Sequence, residues 1–317
     1  MAKKLTLTDI RKFRSTIYGH YKKNSRKLPW RPPALKLRKD NALDPYRIVV
    51  SEIMLQQTQV SRVLTKYPTF IKTFPNFKSL AKAPFKKIFR VWQGMGYNRR
   101  ALALKKIAER VEKEFGGKLP VSPETLETFP GIGHYTACAI SAFAYNQPTV
   151  FIETNIRTVF IYFFFPKKKR ARPVTLQLAN RNPSSKTHST TAYAPMTTKT
   201  SESNGVNDEE LLPFIKQTLD RHNPREWYYA LMDYGAMLKE KGARLNKRSA
   251  HYRAQSRFKG SNRELRGKIL EMLSQRNMSE VELVRALRKK GTLVKKNLIT
   301  LMIEGLIKKR GKKIVIP

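Results

Sequence analysis

Two carboxylates stand in surroundings that penalise charge. Glu52 interrupts the apolar run Ile48-Val49-Val50-Ser51-Glu52-Ile53-Met54-Leu55, and Glu153 lies between Phe151-Ile152 and Thr154-Asn155, ahead of more apolar sequence. A buried charge either finds a partner or takes up a proton through a raised pKa. Glu52 therefore has two readings: a glutamate paired with an arginine, or a general acid kept protonated near neutral pH. Between the two acids lies Phe129-Pro130-Gly131-Ile132-Gly133. It reads as a tight reversal ahead of an Ala-rich helix from Tyr135 to Tyr145. Gly131 and Gly133 would leave backbone N–H groups uncovered at the start of that helix, where the dipole favours a phosphate oxygen. An ordinary helix–helix turn uses the same residues.

The elements that must position these groups are helical. Ser122-Pro123-Glu124 supplies a cap, a pre-set first turn and an acid facing the dipole. Asp44-Pro45 opens a helix whose apolar residues nearly surround it, expected to continue to about Lys66, with Gln56 and Gln59 on the side of Glu52. Residues 8–24 carry Ile10, Phe13, Ile17 and Tyr21 at helical spacing. Pro75 and Pro84 divide residues 67–92 into two helices. Gly94-Met95-Gly96-Tyr97 is a second glycine-flexed turn, followed by Asn98-Arg99-Arg100 and an amphipathic helix over 101–114. Residues 208–238 give two helices around Pro224.

Charge sets the class of partner. There are 64 Lys and Arg against 23 Asp and Glu, a net charge of +41. A polyanion held through its phosphates follows from that excess. A membrane surface is the rival, but no run of eighteen apolar residues occurs and residues 1–13 lack an apolar signal segment. The single cysteine, Cys138, excludes an intrachain disulfide framework and a four-cysteine metal site. The five histidines show no pair at ligand spacing, so no metal is expected. A soluble cytoplasmic protein associated with the nucleoid is expected, or a nuclear one in a eukaryote.

Residues 166–207 break the pattern. PKKKRAR is followed by a stretch in which eleven of residues 184–203 are Ser or Thr, too polar to offset the entropy of ordering, so disorder is expected. PKKKR reads either as a nuclear import signal or as a solvated run near DNA. From 261 the composition changes again. Ser261-Asn262 and Ser279 cap two helices, Thr292 to Leu306 forms a third, and KKRGKKIVIP makes a hairpin around Gly311. Three helices and a basic hairpin suggest a winged helix with Val294–Leu306 as recognition helix; a protein-docking module fits the same pattern.

The motifs FPGIG-HYTACAI and IETNIRTV, together with LPWR (28–31), DPY (44–46), SEIMLQQTQV (51–60), GMGYNRRALAL (94–104) and YALMDYGAML, occur in one order. In that order they resemble the helix-hairpin-helix DNA glycosylases, and among these the MutY-type adenine glycosylases of A/G-mismatch repair. The resemblance implies an all-α, two-lobed glycosylase domain over 1–165 and 208–258, interrupted by the 166–207 insertion. A small winged-helix-like α+β domain at 261–317 then stands where MutY-type enzymes carry the domain that recognises 8-oxoguanine.

By the same resemblance, Glu52 protonates a flipped adenine at N7 and Glu153 stabilises the oxocarbenium-like sugar from its other side. Tyr135 and Asn155 line the reacting nucleotide, and Trp30 and Arg31 sit at the base pocket, although Trp30 alone would also suit a core. Gln56 and Gln57 border the base stack. Tyr97 enters the duplex as a wedge, or packs as a turn tyrosine, with Arg99 and Arg100 as cations beside it. Gly131, Gly133 and His134 form the phosphate-binding hairpin. The implied partner is double-stranded DNA with a mismatched or oxidised base pair, bound by a monomer.

Three departures qualify the family pattern. The family has Asp where this chain has Glu153, and the extra methylene moves the carboxylate by roughly 1.3–1.5 Å unless the backbone compensates. Tyr135 occupies the position of the Schiff-base lysine of the endonuclease III branch, which implies base removal without strand cleavage. The four cysteines of the iron–sulfur cluster in many relatives would fall at Lys239, Asn246, Ser249 and Gln255, which implies no cluster. A thymine or uracil mismatch glycosylase of the same superfamily, and a catalytically weak DNA-binding protein, remain the alternatives.

Overall fold

The computed structural model describes residues 4–31, 43–166, 205–254 and 257–317. The loop after Arg31 through 42, nearly all of the 166–207 insertion with its PKKKR run, and Gln255 lie outside the described residues. In chain order the elements are α1 (Leu7–Asn24), α2 (Pro45–Leu55), α3 (Val60–Thr73), α4 (Phe77–Lys82), α5 (Phe85–Trp92), α6 (Arg99–Glu114), α7 (Pro123–Glu127) and α8 (His134–Tyr145). Then follow α9 (Thr154–Phe164), α10 (Asp208–Thr218), α11 (Pro224–Glu240), α12 (Asn262–Gln275), α13 (Glu280–Leu287), α14 (Gly291–Ile303), β1 (Lys308–Arg310) and β2 (Lys313–Val315). None of the described helices is long and apolar enough to cross a membrane.

The chain forms two compact units. The first comprises Met1–Ser25, Ile152–Leu219 and Trp227–Arg253. Its α1 opens one residue earlier than Thr8, because Thr6 and Asp9 close a reciprocal capping box, each side chain accepting the other's backbone N–H at 3.1 Å. Phe13 anchors the core, its ring edge-on to Phe160, Phe163 and Phe164 of α9 at 5.0–5.4 Å and to Trp227 of α11 at 5.7 Å. Truncating an aromatic in such a cluster costs about 3–5 kcal/mol. Arg14, one residue on, donates from Nε to the carbonyl of Thr218 (3.0 Å) and from Nη2 to that of Leu219, closing the C-terminus of α10 with a cation.

The second unit comprises Arg26–Phe151, Asp220–Glu226 and Ala254–Pro317. Asp44 caps α2 by accepting the N–H of Tyr46 at 3.0 Å, and Ser122 caps α7 through Thr125 N–H at 3.3 Å. The helix expected to reach Lys66 stops at Leu55 instead. Gln56 to Gln59 make a turn with Gln57 at φ 52°, and Gln59 becomes the N-cap of α3. The cause is Arg100, whose Nη1 donates to the carbonyls of Ile53 (3.0 Å), Met54 (2.8 Å) and Gln56 (2.5 Å), replacing the next helical turn as their partner.

The C-terminal elements cluster with this second unit. Arg90 of α5 donates to the carbonyl of Ser274 at the end of α12 (2.8 Å), and the N–H of Lys86 donates to that of Pro317 (3.3 Å). β1 and β2 pair antiparallel, Lys308 opposite Val315 and Arg310 opposite Lys313, around Gly311 at φ 60°. Met278 adds an isolated antiparallel bridge to Ile314. Three helices and a basic hairpin are therefore present.

Candidate functional site

The hairpin of the second unit is built as its two glycines require. Gly131 has φ 78°, and a Cβ there would lie 3.0 Å from Cβ of Ala103, so a side chain would be both strained and crowded. Gly133 is the N-cap of α8, contributes no side-chain cap, and has open space where a Cβ would be. The first N–H groups of α8 thus face an uncovered helix N-terminus, the geometry that accepts a phosphate. His134 begins α8 with its side chain largely exposed, Nδ1 2.6 Å from Oε1 of Glu127. Tyr135 is half-buried, its ring edge-on to Phe151 at 5.6 Å.

Glu52 lies in the last full turn of α2, 8% exposed, on a helix packed against α8. Gln56 ties this helix end to the hairpin: its Nε2 donates to the carbonyl of Gly131 (3.1 Å) and to Oγ1 of Thr136 (3.2 Å). Trp30 is buried and packs edge-on to Tyr67 at 5.4 Å, with Arg31 half-exposed beside it. Tyr97 sits at φ 46°, a left-handed conformation that costs a bulky residue about 1–3 kcal/mol and persists only where neighbours hold it. Arg100 lies over one side of its ring at 5.3 Å.

Arg99 and Arg100, paired in sequence as cations beside the turn, part company in space. Arg99 is exposed, but Arg100 is 7% exposed, and burial pushes its guanidinium down to about 10. Besides the end of α2 it serves Oγ1 of Thr58 at 2.9 Å and the carbonyl of Gly96 at 3.2 Å. Its charge braces the two turns carrying Gln56, Gln57 and Tyr97 instead of facing solvent. Arg225 does the same for α8, donating from Nε to the carbonyl of Phe143 (2.6 Å) and from Nη2 to that of Ala144 (3.1 Å).

In the first unit, Glu153 is half-buried and caps α9. Its Oε1 accepts the N–H of Asn155 (2.7 Å) and of Ile156 (3.0 Å), and its Oε2 accepts Nδ2 of Asn155 at 3.3 Å. A glutamate is an uncommon cap, and here the longer side chain folds back to do an aspartate's task. Burial raises the Glu153 carboxyl above the ordinary carboxylate range, opposed by those N–H bonds and by the Lys239 ammonium. One turn on, Arg157 grips Asp208 through two parallel bonds of 2.7 Å. Asn246 meets Oγ1 of Thr158 at 2.7 Å, while Ser249 is buried and its Oγ accepts the N–H of His251 at 3.1 Å. Lys239, Asn246 and Ser249 are the described residues at the positions that the resemblance assigns to cluster cysteines.

Gly235 was not singled out by sequence reasoning. A Cβ at 235 would fall 2.4 Å from the carbonyl oxygen of Asn155 and 2.6 Å from its Cβ, so α11 approaches the start of α9 closely only because position 235 has no side chain. Gly235→Ala is expected to destabilise the chain by about 1–3 kcal/mol in a urea melt, as overpacking does. It should also displace the Glu153–Asn155 cap, so that hydrogen exchange at the Asn155 and Ile156 amides quickens. Equal stability and equal exchange would show that the contact does not position the cap. The sequence signal available was glycine inside a helical pattern, which by itself permits several causes.

The second unit therefore brings Glu52, Gln56, Gln57, Tyr97, Arg99 and the hairpin residues into one body, whereas Glu153 and Asn155 belong to the first. A solved thermostable thymine-DNA glycosylase is similar to the chain in fold, with a TM-score of 0.53 and 22% identity, covering 75% of this chain and 94% of that one. The adenine DNA glycosylase of Mus musculus is 37% identical over 154 residues, 48% of this chain and 30% of that protein. That of Buchnera aphidicola subsp. Baizongia pistaciae is 39% identical over 153 residues, 48% of this chain and 41% of that protein. The chain spans less than half the length of either relative. Residues 50–183 match the family described as HhH-GPD superfamily base excision DNA repair protein.

Proposed function

We propose that the chain is a DNA glycosylase that extrudes a mispaired adenine from duplex DNA and hydrolyses its N-glycosidic bond. The observation that carries this reading is the burial of Glu52 on a helix whose end is tied to the glycine hairpin through Gln56. On this reading the Glu52 carboxyl would donate a proton to the departing base. Glu153, held toward its ionised form by two backbone N–H groups, would stabilise the positive charge that develops on the sugar. The unfilled N-terminus of α8 and the net charge of +41 would hold the phosphate backbone. The activity of the two adenine DNA glycosylase relatives supports adenine as the base.

The reading includes no lysine nucleophile at the hairpin, since position 135 is tyrosine, and no iron–sulfur cluster. Labelled duplexes with A opposite 8-oxoguanine, A opposite G and T opposite G would be incubated with the intact chain and run on a gel before and after alkali. Strand breaks are expected only after alkali and only on the two adenine duplexes, with no covalent adduct trapped by borohydride. Breaks confined to the T opposite G duplex would replace adenine by thymine. A strong borohydride adduct would contradict simple hydrolysis.

A further inference from the structure

A pocket of about 380 Å³ opens beside the hairpin-bearing helices, lined by the Gln56–Gln57 turn, by Tyr97 and Arg99, and by Arg263 and Arg266 of α12. Its volume lies in the about 300–1,000 Å³ range of small-ligand sites. Two non-glycine residues in left-handed conformation, Gln57 and Tyr97, both line it. Such strain collects where a surface is held ready for a ligand. The C-terminal elements supply part of what holds it: Nη1 of Arg263 donates to the Tyr97 hydroxyl at 3.1 Å, and its guanidinium lies 5.8 Å from the Tyr97 ring centre. Arg266 is paired with Glu304, which also lies 3.8 Å from Arg99, so one carboxylate is set between two arginines of the pocket wall.

We infer that Arg263 of the C-terminal region is a phosphate ligand for DNA at this pocket and also positions Tyr97. The inference rests on the DNA-binding part of the reading above and not on base removal. It places α12 at the nucleic acid, where the sequence pattern pointed to α14. α14 also exposes Lys295 and Lys296 beside Ile299 and Ile303, so the choice of α12 rests on the pocket wall. On the wall of the pocket the arginines stand beside amide side chains and an aromatic face, which together match a phosphate and an unstacked base.

The test is fluorescence anisotropy with the full chain, on a fully paired duplex and on one carrying an A opposite G mismatch, across a salt series. Arg263→Ala is expected to weaken binding about tenfold and to lower the salt slope by about one phosphate contact. Arg263→Lys keeps a cation without the fork to Tyr97, so it should keep the slope but lose affinity for the mismatch more than for paired DNA. Wild-type affinity and slope in both variants would overturn the assignment. So would a loss confined to Lys295→Ala and Lys296→Ala on α14. If the chain removes no base yet binds DNA through Arg263, the glycosylase reading fails and this one stands. If it removes adenine with Arg263 irrelevant to binding, this one fails alone.

Discussion

Glu52→Gln is expected to slow single-turnover release of adenine by about 10²–10⁴-fold while leaving the affinity for the mismatched duplex within a few-fold of wild type. Glu52 is buried near the end of α2, so the substitution swaps one buried polar side chain for another of nearly the same shape. What it removes is the transferable proton. An amide can still hydrogen-bond a base nitrogen but cannot protonate it, and an unprotonated adenine is a poor leaving group. The loss should therefore fall on the chemical step and not on binding. A Glu52→Gln chain that excises at the wild-type rate would remove the general acid from the scheme.

The second large effect is at Glu153. Glu153→Gln is expected to lower the single-turnover rate by about 10²–10³-fold, the scale of losing one electrostatic stabiliser of a developing charge, with Glu153→Asp falling between. The pH dependence gives the sign. Burial raises the Glu153 carboxyl, so as pH falls it takes up a proton earlier than a solvated carboxyl would. A rate that needs the ionised form then declines on an acid limb lying above the ordinary carboxylate range, and the glutamine variant loses that limb. Stability runs the other way. A carboxyl whose folded value is raised contributes its stability below the ordinary carboxylate range, and that contribution is lost as pH rises through the raised value. Glu153→Gln should accordingly fold at least as well as wild type at neutral pH while reacting far more slowly. A parallel loss of both would make Glu153 a helix cap and nothing more.

Much of the helical frame was legible because its signals are local. Asp44-Pro45, Ser122-Pro123, Ser261 and Ser279 stand at helix starts as their side chains require, and Gly94, Gly96 and Gly131 have the left-handed backbone that calls for glycine. The burial of Glu52 followed from its apolar neighbours. What escaped the sequence depends on distant partners. Nothing between Leu55 and Val60 announces a helix end, since the residue that stops α2 is Arg100, 44 positions beyond Gln56. The burial of Arg100 was hidden for the same reason, because adjacent arginines look alike until one is shown its carbonyls. Arg225 meets the end of α8 from 81 residues away, and Arg263 meets Tyr97 from 166. The capping of α9 by Glu153 was hidden differently, because a glutamate's extra methylene makes it a weak cap by type and only the backbone reveals that it folds back.

The central proposal is that Glu52 and Glu153 both serve one bond cleavage. A double-mutant cycle of single-turnover adenine release tests it most directly, using wild type, Glu52→Gln, Glu153→Gln and the combined variant on A opposite 8-oxoguanine. If both groups serve one bond cleavage, the combined variant is scarcely slower than the slower single variant, as for residues that work as a unit. If the two losses multiply as they do for distant, independent sites, the two carboxyls do not share a transition state and the account is wrong.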